Sequence, residues 1–151
     1  KTSAVRFFNV YGPNQNPESP YSGVISILVD RYKKIQKGED TQFTLFGDGS
    51  QSRDFVLIED VIQALLLVAS KEESLGKQFN VGTGNAITLN ELIEVIDETL
   101  GIKLALKHES ERDGDIKDSV ADISRLKGLG YNPNFSVQEG MKKYLISEEL
   151  I

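Results

Sequence analysis

The chain has 151 residues, of which 39% are apolar and 26% charged, with a formal net charge of −6; this is an average soluble composition, long enough for one domain with a real core and too short for two ordinary ones. The acidic balance argues against nucleic acid as the main partner, and no apolar run has transmembrane length, so no membrane role is expected. Absence of cysteine excludes disulfides, thiolate nucleophiles and zinc–thiolate sites.

In chain order, Val5-Arg6-Phe7-Phe8-Asn9-Val10-Tyr11 reads as a strand that begins with almost no lead-in and needs neighbours to pair with. Lys1–Val5 lacks the charged and hydrophobic regions of a signal peptide. Three of the four prolines fall in the loop over 11–20, which is therefore extended. Val24, Ile25, Ile27, Leu28, Val29, Tyr32 and Ile35 stand at helical spacing, with Arg31, Lys33, Lys34 and Lys37 late in the segment, where cations suit the helix dipole, and Gly38 as the stop; a helix is predicted over about 21–37.

Gln42–Phe46 alternates as a strand and enters a tight Gly47-Asp48-Gly49 turn. Arg53 and Asp54 then precede the apolar run Phe55–Ile58, read with Arg53 as one strand, and Glu59-Asp60 put negative charge at the start of a helix through Ala69. That helix is apolar over most of its circumference and is predicted to be largely buried. Gln78–Val81 is a further strand closed by Gly82-Thr83-Gly84. Thr88-Leu89-Asn90-Glu91 has the form of a capping box and opens a helix to Gly101; Ile102–His108 alternates as a half-buried strand; residues 122–128 make a short helix; and Ser136-Val137-Gln138-Glu139 is a second capping box before a terminal helix. Alternation of strands and helices indicates the α/β class.

Three polar clusters stand at predicted strand ends, where α/β proteins gather ligands. They are Asn9, the Arg53–Asp54 pair, and Arg112-Asp113-Gly114-Asp115. The residues alone leave two readings of Arg53 open: a phosphate clamp, since guanidinium pairs with phosphate bidentately and keeps its charge, or a surface ion pair with Asp54 worth under ~1 kcal/mol. A lone Asn at a strand end, such as Asn9, is more often a turn residue, and the Arg112–Asp115 segment taken alone reads as a solvated charged loop; the recurrence of two arginines and an amide at strand ends is what favours a joint anion site. No glycine-rich dinucleotide loop is present, and Gly82-Thr83-Gly84 lacks the third glycine. His108 has no Ser or Asp in triad spacing and reads as structural, and no carboxylate–histidine cluster suggests a metal. No catalytic residue is assigned.

These motifs resemble the C-terminal half of the NAD-dependent epimerase/dehydratase family, the extended short-chain dehydrogenase/reductases that act on nucleotide sugars. Arg6-Phe7-Phe8-Asn9-Val10-Tyr11-Gly12-Pro13 is similar to the family's R-x-x-N-x-Y-G-P segment. Phe46–Gly49 with Arg53-Asp54-Phe55-Val56 is similar to G-D-G-x-x-x-R-D-[FY]-[VI]. Phe79–Gly84 matches its late strand and turn, and Arg112-Asp113-Gly114-Asp115 with Ala121-Asp122 matches R-x-G-D…A-D.

The resemblance implies an α/β fold: the C-terminal substrate-binding part of an extended Rossmann-type enzyme over residues 1–151, with its last one or two parallel strands, the first strand and Gln78–Val81 completing the sheet. It implies that Asn9, Arg53 and Arg112 contact the diphosphate of a UDP-sugar, that Asp115 receives a ribose hydroxyl, and that the strand around Phe43 passes the uracil through backbone groups. Phe7 and Phe8 would lie near the nicotinamide edge of NAD. The family's glycine-rich loop, its catalytic Ser/Thr and its Tyr-x-x-x-Lys pair belong upstream and are absent here. In the parent enzyme, tyrosinate takes the sugar 4-OH proton as hydride passes to NAD, and re-reduction from the opposite face inverts C4. Among relatives the motifs are nearest to UDP-glucose and UDP-N-acetylglucosamine 4-epimerases, with 4,6-dehydratases, UDP-sugar decarboxylases and a non-catalytic binding module as alternatives. A cytoplasmic location and a homodimer of the full-length enzyme accompany the resemblance, and the 151 residues alone are expected to be inactive.

Overall fold

In the computed structural model, residues 1–19 and 22–151 are described. The predicted first strand is two strands, β1 (Ala4–Phe7) and β2 (Asn9–Tyr11). β1 runs parallel to β6 (Gln78–Val81), with Phe7 opposite Val81, as the resemblance implied. β2 runs parallel to β5 (Phe55–Leu57), with Asn9 opposite Phe55. The partner changes within one residue, because Phe8 N donates to Val81 O at 2.9 Å and Asn9 N to Asp54 O at 3.1 Å. The strand expected over 53–58 is also divided, at Asp54. Its first part, β4 (Ser52–Arg53), lies between β7 (Ile87–Thr88), antiparallel, and β9 (Asp118–Ser119), parallel.

Helix α1 (Val24–Gln36) ends as expected, with Lys33 and Lys34 in its last turn; the predicted start at Tyr21 lies outside the described residues. β3 (Phe43–Phe46) pairs in parallel with β8 (Leu106–Glu109). β8 occupies only the second half of the predicted alternation and is mostly exposed. The first half does not extend because Leu104 N donates to the Asp97 carboxylate at 3.0 Å and Ile102 N to the Asp97 carbonyl at 3.2 Å, wrapping the chain around a helix end. Both capping boxes form. Thr88 and Glu91 close one at the start of α3 (Leu89–Leu100), which stops at left-handed Gly101, and Ser136 and Glu139 close the other at the start of α5 (Val137–Ser147). Between them lies the short α4 (Ser124–Lys127).

Helix α2 (Ile58–Ser70) corrects an expectation. Its buried residues are Asp60, Val61 and Ala64, whereas Ile62, Leu65 and Leu66 are exposed, Leu66 to 65%. One stripe packs against β2 and β5, and Ile62, Leu65 and Leu66 lie on the exposed side.

The strand period of two explains how the interior is arranged. The described residues form two cores, and β5 is the seam between them. Phe55 and Leu57 enter the core built with α1, β3, α3 and α5; Val56 enters the one built with α2, β6 and α4. β2 divides in the same way, Tyr11 to the first and Val10 to the second.

Candidate functional site

The alternation that splits β5 also separates Arg53 from Asp54. Arg53 points with Phe55 to the side of the first core, where its Nη2 donates to Asp115 Oδ1 at 2.6 Å and its Nη1 to the carbonyls of Ser52 at 2.8 Å and Lys117 at 3.3 Å. Asp54 points the other way and is fully buried. Its Oδ1 accepts from Thr83 N at 2.8 Å and Thr83 Oγ1 at 2.7 Å, and its Oδ2 from Gly84 N at 2.9 Å and Ala121 N at 3.2 Å. Of the two readings left open for Arg53, the surface ion pair with Asp54 is therefore not formed. Asp54 is a carboxylate clamp joining the Gly82–Gly84 turn to the segment that leads back to Asp115, and Arg53 is left for the surface side.

A groove of about 380 Å³ opens on the Arg53 side, walled by α1 residues Val24 and Ile27, β3 residues Phe43, Thr44 and Phe46, and Phe55, Gln51 and Leu89. Arg31, Arg53 and Arg112 line it against a single carboxylate, Asp115. A chain of net charge −6 thus presents a locally cationic groove with apolar walls. Arg112 reaches it by stacking on Phe46, with Cζ 3.7 Å from the ring centroid. The turn carrying Arg112 and Asp115 is closed by Asp115 N donating to Arg112 O at 3.1 Å, with Gly114 at φ 81°. A continuation of about 170 Å³ runs past Gly47, Asp48 and Lys117. There the Asp48 carboxyl is held below its ordinary range by hydrogen bonds from Ser50.

Of the residues singled out in the sequence, Phe43, Arg53, Arg112 and Asp115 come together in this groove. Asn9 stands in an adjoining hollow of about 220 Å³ that shares Val24 and Phe55 with it, and Asn9 Nδ2 donates to Asp54 O at 3.3 Å. Phe8 lines the same hollow and packs on the second core. Phe7, at the end of β1, is 50% exposed and lines neither space. His108 is exposed, its Nδ1 lying 3.3 Å from Gly47 O, which suits a turn contact.

For a dinucleotide, the amides of Thr83 and Gly84 are the obvious place to look, since a Gly-containing turn after a strand can cradle a pyrophosphate. They are already bonded to Asp54, and a Cβ added at Gly82 would lie 2.7 Å from an Asp54 oxygen. These residues do not fit a pyrophosphate.

Sequence reasoning missed two parts of this site. The direction of Asp54 was available from the strand period. The lining role of Arg31 was signalled by Val24, Ile27 and Arg31 at i, i+3 and i+7, which puts a cation on the apolar stripe of α1.

Parallel strands with covering helices and a groove beside them place the chain among Rossmann-type α/β proteins. A sequence profile of the NAD dependent epimerase/dehydratase family matches residues 1–82, and the chain belongs to that family. It is 34% identical over 96% of its length to the UDP-glucose 4-epimerase of Thermotoga maritima, solved with UDP-glucose, with a TM-score of 0.84. It is 36% identical over 96% of its length to the UDP-N-acetylglucosamine 4-epimerase of Methanobrevibacter ruminantium M1, solved with UDP-N-acetylmuramic acid, with a TM-score of 0.81. The UDP-glucose 4-epimerase of Mycolicibacterium smegmatis is 34% identical over 89% of the chain. The chain spans less than half of each of these proteins: 45%, 46% and 41% of their lengths. No described helix is long and apolar enough to cross a membrane.

Proposed function

We propose that residues 1–151 form the substrate-binding part of an NAD-dependent nucleotide-sugar 4-epimerase and hold a UDP-sugar by its nucleoside diphosphate. The observation that supports this is the convergence of Arg53, Arg112 and Asp115 on one apolar-walled groove. Two guanidinium groups suit a diphosphate, a carboxylate suits a ribose hydroxyl, and the aromatic and aliphatic wall suits a base. In this reading Arg53 leaves Asp115 for the phosphates, which releases the carboxylate for the sugar. Asn9, from the adjoining hollow, reaches the same diphosphate, and Phe8, with Phe7 beyond it, borders the nicotinamide.

The proton and hydride chemistry belongs to residues outside this chain, so the 151 residues alone neither turn over UDP-sugars nor bind NAD. The reading includes a homodimer of the intact enzyme and a cytoplasmic location, both resting on family resemblance. Calorimetric titration of the intact protein with UDP-glucose and UDP is the test. Arg53→Ala is expected to weaken both by about 100-fold, the loss of a bidentate charged contact, with the far-UV spectrum unchanged. Unaltered UDP affinity in Arg53→Ala would remove the phosphate role.

A further inference from the structure

Arg31 is the cation in the groove that the proposed diphosphate contacts do not use. Its position is set by α1: Val24, Ile27 and Arg31 form one stripe, and all three line the groove. Seven residues of helix place Arg31 roughly 10 Å from Val24 along the axis. The short connection over 37–42 brings the late part of α1 beside the beginning of β3, and Gln42, Phe43 and Thr44 line the groove with Arg31. Phe46, which carries Arg112, lies three strand residues further on, roughly 10 Å away. The groove therefore has a cationic end at Arg53, Arg112 and Asp115, and a second end at Arg31, Gln42 and Phe43.

Arg31 is also under-used by the protein. Its Nε is buried and finds no hydrogen-bond partner among the described residues. Its Nη1 meets only the carboxylate of its neighbour Asp30, at 3.3 Å, and that same oxygen is held by Lys34 Nζ at 2.8 Å. A guanidinium with a buried unmatched Nε–H is suited to an acceptor that arrives with a ligand. It has donors only, so it accommodates a carbonyl oxygen and opposes an amino group.

We propose that Arg31 selects the base, donating to the ring carbonyl of a uracil-type base so that the groove prefers uridine to cytidine diphosphates. This rests on the nucleotide-sugar reading above and adds to it a specificity-determining residue. Uracil and cytosine have the same size and stack alike on Phe43, and they differ at the edge where one carries a carbonyl and the other an amine.

The test is titration of the intact protein with UDP and with CDP. Wild type is expected to bind UDP about tenfold or more tightly than CDP, the discrimination of one well-placed donor–acceptor match. Arg31→Ala should bring the two affinities together, mainly by weakening UDP. Arg31→Gln, whose amide can both donate and accept and which keeps the helix, should do so by strengthening CDP. Arg53→Ala should weaken both nucleotides and keep their ratio. A UDP-to-CDP ratio unchanged in both Arg31 variants, or an equal loss for both nucleotides, overturns base selection while leaving the groove a nucleotide site. Failure of wild type to bind either nucleotide overturns the nucleotide-sugar reading and this inference with it.

Discussion

Arg53 and Asp54 are neighbours in the chain and share no contact: Arg53 reaches Asp115 across the groove, while Asp54 is buried on the opposite side, bonded to Thr83, Gly84 and Ala121. The adjacent residues act on different scales, Asp54 on stability and Arg53 on the surface chemistry of the groove. Predictions for the two differ accordingly.

Replacing Asp54 strands three backbone N–H groups, those of Thr83 and Ala121 buried and that of Gly84 partly so. Asp54→Ala is expected to cost about 3 kcal/mol or more, because each unmatched donor loses its partner in a low-dielectric interior. Asp54→Asn keeps the size but turns an NH2 toward N–H donors, so it should recover little. Urea unfolding monitored by far-UV ellipticity measures both, and a midpoint for Asp54→Asn equal to wild type would show that the charge is not needed.

Arg53→Ala and Asp115→Ala should leave stability within about 1 kcal/mol of wild type, because their pair is partly solvated and screened. The same urea experiment reads this out. A loss as large as that of Asp54→Ala would mean that the pair supports the fold.

Gly140→Ala sets helix propensity against packing. Inside α5 alanine should gain about 1 kcal/mol over glycine, yet the new Cβ would collide with the Tyr11 hydroxyl. Tyr11 is buried and rests against Tyr144, ring centroids 5.9 Å apart, so it cannot yield freely. The variant should be destabilised by about 1–3 kcal/mol, detectable as a lower thermal midpoint. A higher midpoint would show that the tyrosines can shift.

Alkaline pH should unfold the protein through its tyrosines. Burial pushes the Tyr144 hydroxyl up to about 12, aided by the charge of Glu148, and burial likewise raises Tyr11 and Tyr131. Tyr32 is raised by burial and by its 2.6 Å hydrogen bond to Asp97. All four are neutral in the folded state and ionise near pH 10 once unfolded. Their contribution is fully present below pH 10 and is lost as pH rises from about 10 to 12. Unfolding midpoints measured from pH 8 to 12 should fall steeply above 10, with phenolate absorbance appearing at the unfolding transition. A gradual phenolate rise from all four while ellipticity persists would contradict this.

What could be read from the chain depended on how local each signal was. The boxes at Thr88–Glu91 and Ser136–Glu139 were legible because cap and partner lie three residues apart and nothing distant alters them. The convergence of Phe43, Arg53, Arg112 and Asp115 spans about half the chain; strand-end placement pointed to Arg53 and the Arg112–Asp115 segment, and the family resemblance added Phe43 and joined them. Three features were hidden by adequate local explanations. Arg31 was accounted for by the helix dipole, and Leu65 and Leu66 by a buried helix. The 102–108 alternation read as a strand, although the Asp97 carboxylate captures the Leu104 amide.

The division of side chains between two cores at β5 makes the segment before it a matter of parity. Arg53 faces the groove because it lies two positions before Phe55, and one residue's displacement would put the Asp54 carboxylate there in its place. A single glycine inserted between Asp54 and Phe55 would bring the Asp54 carboxylate to the groove in place of the Arg53 guanidinium and set it beside Asp115, weakening the groove's attraction for an anion. One glycine added in the 37–42 connection alters no such phase. Nucleotide titration of these two insertion variants should find binding weakened in the first and kept in the second. The groove's charge is thus encoded in odd and even spacing as much as in the residues themselves.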